Sequence, residues 1–288
     1  MKRTKFIFIS MIRWIEENIS MEIGVNDIVS KSGYSKRYVQ YLFRKHLGCG
    51  IYTYLKNRRL SLSAKLLKLT KMPMIEICHI YHFKSYQSFN RAFKIKFRIP
   101  PGRYRRTTNW LLSRYTGNAA LERPKMISTP VLLPCLEVLL KPKKIIASTH
   151  DGNYNNVFDG EAISEIKKHV RTLVMKNKNE KLMMIYRVNV STKSNFALEI
   201  ELSEVKDKQN SASFQRQIIE AGMYYQFHYE GIWDEYDNLS DYIYLNELPS
   251  LNMNKRNSHD IQVFDICAMR EKTKLVVDIY VPVTTEFY

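Results

Sequence analysis

Ile28-Val29-Ser30-Lys31-Ser32-Gly33-Tyr34-Ser35 is echoed by Ile77-Cys78-His79-Ile80-Tyr81-His82-Phe83-Lys84-Ser85, and the segments downstream of each copy match as well. Val39, Leu42 and Phe43 answer to Phe89, Ala92 and Phe93, with an offset of 49 at the turn and 50 after it. Each copy reads as a short helix, a tight turn and a second helix. Gly33 permits the first turn, and Ser35 and Ser85 are placed to cap the second helices. The apolar residues at i, i+3 and i+4 form a buried stripe on each second helix. Pro73 starts the short helix of the second copy. Between the copies, Ile51 to Leu69 reads as one long helix with Tyr54, Leu55, Leu62, Leu66 and Leu69 buried and Lys56, Arg58 and Arg59 on a solvated face.

The opposite faces of the second helices define the candidate chemistry. The first shows Lys36, Arg37, Gln40, Tyr41 and Arg44, with Lys45 beside them; the second shows Ser85, Tyr86, Gln87, Asn90, Arg91 and Lys94. Long hydrogen-bond donors near the N-terminus of an exposed helix are what major-groove readout of DNA requires. Backbone amides and Lys45 would hold phosphates. Charge agrees: residues 1–106 hold 23 Lys and Arg against 5 Asp and Glu, a surplus of 18, whereas the rest holds 22 against 23. A strongly basic third joined to a neutral remainder points to one domain for a polyanion and another for a different task.

The N-terminus begins with basic residues and an apolar run, but Arg13 cuts the run and no small-residue cleavage site comes after it. Phe8, Met11, Ile12, Ile15 and Ile19 keep helical spacing, so this segment is expected to be a first amphipathic helix. No stretch is apolar and long enough to span a membrane. Cys49, Cys78, Cys135 and Cys267 form no CxxC pair and have no histidine at metal-ligand spacing. They read as small buried residues in a reducing compartment. No metal site, catalytic group or cofactor is expected.

Beyond Pro124 the pattern changes. Strand-like runs cover Leu136–Leu140, Lys143–Thr149, Leu182–Arg187, Ala197–Leu202, Tyr224–Tyr229, Ile261–Ile266 and Leu275–Val281, and helix-like runs cover Glu161–Met175 and Asp234–Leu245. Strands ending His150-Asp151-Gly152 and Tyr229-Glu230-Gly231 each precede a helix and two strands. The expected fold class is therefore multidomain. An all-α domain at 1–110 has two helix-turn-helix units joined by a long helix. A linker occupies 111–131, and an α+β domain of two βαββ repeats occupies 132–288.

The motifs Ile28 to Ser35, Phe43 to Gly48, Ile77 to Phe83 and Phe97 to Arg105 resemble those of the AraC/XylS family of bacterial transcription regulators. The resemblance covers residues 8–106. It implies a monomer on promoter DNA, two recognition helices in adjacent major grooves, and RNA polymerase as a further partner in activation. Carried over position by position, Arg37 and Gln40 read the first groove, Gln87 and Arg91 the second. Three residues depart from the pattern: Tyr41 stands where an arginine is usual, and His82 and Arg98 replace glycines. The family also implies a cytoplasmic, nucleoid-associated protein.

Ala221 to Gly231 and the closing run Val277 to Val283 resemble the GyrI-like effector domain. That likeness implies a cleft for a small amphipathic or cationic effector, with aromatic walls and a carboxylate. The candidates are Tyr154, Tyr225, Phe227, Trp233 and Tyr280, with Glu230 as the acid. Because Tyr225 and Phe227 alternate along one strand, one of them is expected in the core. Two other readings stay open at this level. The second domain is a protein-interaction or sequestration module, or Glu230, Tyr225 and Trp233 form a small-molecule hydrolase.

Overall fold

The computed structural model describes residues 2–148, 161–176, 179–190, 197–206, 215–236 and 238–285. The first third is helical: α1 (Lys2–Asn18), α2 (Val25–Ser32), α3 (Lys36–Leu47), α4 (Ile51–Leu69), α5 (Met74–Ile80), α6 (Tyr86–Phe97) and α7 (Pro101–Arg106). The predicted apolar positions of α1 are all buried, as are Val39, Leu42 and Phe43 on α3 and Phe89, Ala92 and Phe93 on α6. Ser35 Oγ accepts from the Tyr38 amide at 3.3 Å, which fixes where α3 begins. At α6, Ser85 Oγ accepts from the Ser88 amide while Ser88 Oγ accepts from the Ser85 amide, each at 3.2 Å.

The turns show what the glycine replacements do. Gly33 is left-handed at φ 70°, as the first turn requires. His82 is left-handed too, at φ 54°, and its Nε2 lies 2.8 Å from the Ser20 carbonyl oxygen, tying the second turn to the end of α1. Gly48 after α3 and Arg98 after α6 take matching conformations, at φ 68° and 67°. The arginine therefore accepts a backbone that costs a side-chain-bearing residue about 1 kcal/mol.

Helix α4 departs from its expected amphipathic character. Of the face predicted to be solvated, Arg58 is 2% and Arg59 9% exposed and Lys56 is half-buried, and Lys65 further along is 3% exposed. Arg58 reaches back to α1 in a two-pronged bond with Glu16, Nε to Oε1 at 2.8 Å and Nη2 to Oε2 at 2.5 Å, and its Nη1 donates to the Thr116 carbonyl at 2.8 Å. The Tyr54 hydroxyl donates to the same Glu16 carboxylate at 2.9 Å. Burial opposes the arginine's charge, but the Glu16 carboxylate outweighs it and holds the Arg58 pKa above its ordinary value. Lys65 meets Asp241 of the second domain at 3.5 Å. Burial pushes Lys68 and Lys96 down to about 8, with Arg58 and Arg114 adding to the effect at Lys96.

Residues 111–131, expected as a linker, are built into the structure. Leu111, Leu112, Tyr115 and Ala120 are buried. A short 3-10 turn spans Leu112–Arg114, and Tyr115 extends the aromatic core of Phe93, Phe97 and Tyr104, with its ring centroid 5.7 Å from Phe97. Trp110 pairs with Lys255 through backbone hydrogen bonds of 2.8 and 3.0 Å. A strand, β1 (Met126–Leu133), already belongs to the sheet of the second domain, six residues before the expected boundary.

The sheet continues with β2 (Leu136–Ser148), β3 (Lys181–Val190), β4 (Ala197–Lys206), β5 (Gln215–Ile219), β6 (Gly222–Gly231), β7 (Asn254–Lys255), β8 (Asp260–Asp265) and β9 (Leu275–Thr284). Its order is β1-β6-β9-β8-β3-β4-β2-β5, with β7 on β9, and its pairs are antiparallel. Helix α8 (Glu161–Lys176) lies between β2 and β3. The single helix expected after β6 is broken into α9 (Trp233–Tyr236), α10 (Leu239–Tyr242), a π turn (Ile243–Glu247) and α11 (Leu248–Ser250), and α12 (Ile266–Lys272) separates β8 from β9. Two predicted strands merge into β2, while β1, β5 and α12 carry no clear signal in the sequence pattern.

Each face of the sheet has its own apolar cluster. Phe227, Tyr229, Phe264, Val277, Ile279 and Val281 join a core continuous with that of the helical domain. Tyr224, Ile185, Ile219, Ile261 and Val138 form a smaller core with Tyr280 and Val131 against it. Cys49 is half-buried and Cys78 buried, but Cys135 and Cys267 are exposed, against the expectation of burial. Cys135 sits in the turn between β1 and β2, and Cys267 in the first turn of α12.

Candidate nucleic-acid interface

The capped starts of α3 and α6 and their buried stripes fix which side chains face outward. On α3, Lys36, Arg37, Tyr41, Arg44 and Lys45 are exposed and Gln40 is half-buried. Arg37, Gln40, Tyr41, Arg44 and Lys45 line one open depression. Lys45 Nζ lies 5.6 Å from the centre of the Tyr41 ring, and Tyr38 stacks on Tyr41 at 6.2 Å. On α6, Ser85, Tyr86, Gln87, Arg91 and Lys94 are exposed and Asn90 is half-buried. Ser85 Oγ serves as the helix cap, which leaves its hydroxyl proton free to be donated. The Tyr86 hydroxyl rests 3.6 Å from Met74 Sδ and its ring lies 6.5 Å from Phe89, so part of this side chain packs on the helix surface. Two helices thus present long donors in the same phase, within a domain whose charge surplus is strongly positive. Such a surface suits phosphates and base edges together.

Residues 28–107 match the family described as a helix-turn-helix domain, and residues 137–284 match the GyrI-like small molecule binding domain. The F1 operon positive regulatory protein of Yersinia pestis is 30% identical over 259 residues, covering 88% of this chain and 81% of that protein. This chain belongs to the AraC family of transcriptional regulators. Within the AraC family, the right origin-binding protein of Escherichia coli strain K12 is 38% identical over 100 residues, 35% of each chain. A solved AraC-type transcriptional regulator from Chromobacterium violaceum is 25% identical and covers 36% of this chain and 94% of that one, with a TM-score of 0.34. The AraC-family assignment makes this a DNA-binding regulator with a GyrI-like ligand-binding domain.

The sheet divides the described candidate effector residues of this AraC-family chain between its two faces. Tyr154 lies outside the described residues. Phe227 is 0% exposed and sits in the main core, so it is a packing residue and not a wall open to a ligand. Tyr225, two residues away on the strand, shares its face and stacks against it at 5.8 Å, so both rings lie on the core side and the expectation that alternation would separate them does not hold. Trp233 is packed on the same side, against Tyr236 at 5.5 Å and Phe264 at 6.4 Å, with the Arg171 guanidinium 5.2 Å over its ring. Glu230 and Tyr280 point to the other face. The register pairs Gln226 with Tyr280 and His228 with Asp278, and side chains of paired residues share a face.

That other face surrounds Glu230 with polar residues that the sequence reading did not single out: Gln226, His228, Lys272 and Asp278. His228 Nδ1 lies 2.8 Å from Asp278 Oδ1, and Gln226 donates to the same oxygen at 3.0 Å. Lys272 Nζ donates to Glu230 at 2.5 Å, and His228 Nε2 lies 3.4 Å from Glu230. The bonds from Lys272 and then His228 hold the Glu230 carboxyl below the usual carboxylate range. Burial and then the charge of Asp278 push the Tyr280 hydroxyl up. A signal was available: Asp278 interrupts an otherwise apolar strand, and His228 shares parity with Glu230. Among the described residues, no group of three or more His, Cys, Asp or Glu is placed to hold a metal ion, and no helix is long and apolar enough to cross a membrane.

Proposed function

We propose that this regulator inserts α3 and α6 into adjacent major grooves of promoter DNA and activates transcription there. The repeat at an offset of 50 carries this reading, because it gives two caps, two buried stripes and two outward donor faces in one phase. Arg37, Gln40 and Arg44 act on the first groove and Gln87, Asn90 and Arg91 on the second. Lys36, Lys45, Ser85, Tyr86 and Lys94 supply phosphate contacts. The relative named as a positive regulator favours activation. A mobility-shift series tests it: a promoter fragment recovered by genome-wide occupancy should compete far better than random DNA, and equal competition would defeat the proposal.

The second domain, in this proposal, is two βαββ repeats, β2-α8-β3-β4 and β6-α9 to α11-β8-β9, that take a small cationic amphipathic molecule. The face with Glu230, Asp278 and Tyr280 supports this best, since it offers two half-buried acids and a ring beside an apolar core. Tyr225 and Trp233 then serve packing. Titrating the protein with rhodamine 6G, an aromatic cation, should give saturable anisotropy that is weakened in Asp278→Asn. Binding unchanged in Asp278→Asn and Glu230→Gln would move the site elsewhere.

A further inference from the structure

The two reading helices can be aligned on each other from the structure alone. Ser35 and Ser85 cap them, and Val39, Leu42 and Phe43 are buried where Phe89, Ala92 and Phe93 are buried. At that phase Arg37 corresponds to Gln87, Gln40 to Asn90, Arg44 to Lys94, and Tyr41 to Arg91. Arg91 and Tyr41 therefore occupy the same place on their docking faces with opposite chemistry. Arginine offers a fork of donors that matches the O6 and N7 acceptors of guanine. Tyrosine offers a flat apolar ring and one hydroxyl.

The setting of Tyr41 favours use of the ring. It is 51% exposed although large and apolar. Tyr38 stacks on it and Lys45 lies over it, so the side chain is held before any DNA arrives. Donors surround it in the depression formed with Arg37, Gln40, Arg44 and Lys45. In the major groove the apolar feature that a base edge presents is the C5-methyl group of thymine. We infer that Tyr41 makes the first half-site selective for thymine by apolar contact with that methyl, while Arg91 selects guanine at the matching place in the second half-site. This rests on the reading of α3 and α6 as DNA-reading helices.

The test replaces thymine by deoxyuridine, one position at a time, in a bound promoter fragment, which removes the methyl and little else. Losing one buried methyl should weaken wild-type binding about fourfold at a single first-half position. Tyr41→Phe keeps the ring and should keep that sensitivity, Tyr41→Ala should lose it, and Tyr41→Arg should shift the preference there towards guanine. Specific binding that is indifferent to every deoxyuridine in the first half-site overturns this inference and leaves the DNA-reading proposal intact. So does loss of the effect in Tyr41→Phe, which would make the hydroxyl the reader. Absence of any specific site would overturn both.

Discussion

Removing Glu16 should unfold this protein's helical domain more readily than its place near the end of α1 implies. Glu16→Ala strips Arg58 of two of its three hydrogen bonds and leaves only the Thr116 carbonyl at 2.8 Å. The Tyr54 hydroxyl loses its acceptor as well. Arg58 is buried, with a side chain 3% exposed, so the unpaired charge has little access to water. Breaking such a pair from one side costs about 3–5 kcal/mol. The Glu16 side chain is 13% exposed, and water entering its vacated place softens the loss, which puts the expectation near the lower end, about 3 kcal/mol. For chains of roughly this size that is a fall in melting temperature of about 6–12 °C. Urea unfolding followed by far-ultraviolet circular dichroism and by calorimetry gives the number and reveals whether the two domains melt together. The paired variant Glu16→Ala with Arg58→Met should recover to within about 1 kcal/mol of the parent, because no buried charge remains. A single variant as stable as the parent, or a paired variant worse than the single one, would refute the reasoning.

Arg98→Gly should raise stability by about 1 kcal/mol, read by urea midpoint, since it relieves a left-handed arginine at an exposed cap. His82→Gly should change little, because relief of similar strain is offset by losing the bond to the Ser20 carbonyl. Arg37→Ala and Arg91→Ala should each weaken specific binding by about 1–3 kcal/mol in a mobility shift while random-sequence binding falls much less. Lys96 keeps its proton to its ordinary 10.5 when unfolded but only to about 8 when folded. Unfolding therefore takes up protons between those values, and stability should rise with pH across that window. Lys96→Met should flatten the rise in a thermal-melt series.

Much of the helical domain was readable from local chemistry. Ser35, Ser85 and the i, i+3, i+4 stripes act within one turn, so caps, phase and outward faces of α3 and α6 came from spacing alone. The burial of Arg58 and Lys65 was not readable, because their cover comes from Glu16, Thr116 and Asp241, far away in the chain. Strand β1 escaped notice because Ile127 and Leu132 are exposed and Pro130 interrupts it, and β5 because Gln215, Arg216 and Gln217 open it with polar residues. Parity along β6 puts Phe227 and Glu230 on opposite faces, a signal overlooked in assigning both to one cleft. Which face Tyr280 joins depended on its register with Gln226, a fact of pairing and not of sequence.

The claim on which the rest depends is that α3 and α6 read two successive major grooves of one site. Methylation interference and hydroxyl-radical footprinting on a bound promoter, repeated with Arg37→Ala and Arg91→Ala, address it directly. The account predicts two protected grooves about one helical turn apart on one side of the duplex, roughly 34 Å. Each substitution should erase base contacts in one groove and spare the other. A footprint confined to one groove, or both substitutions weakening the same contacts, would contradict it.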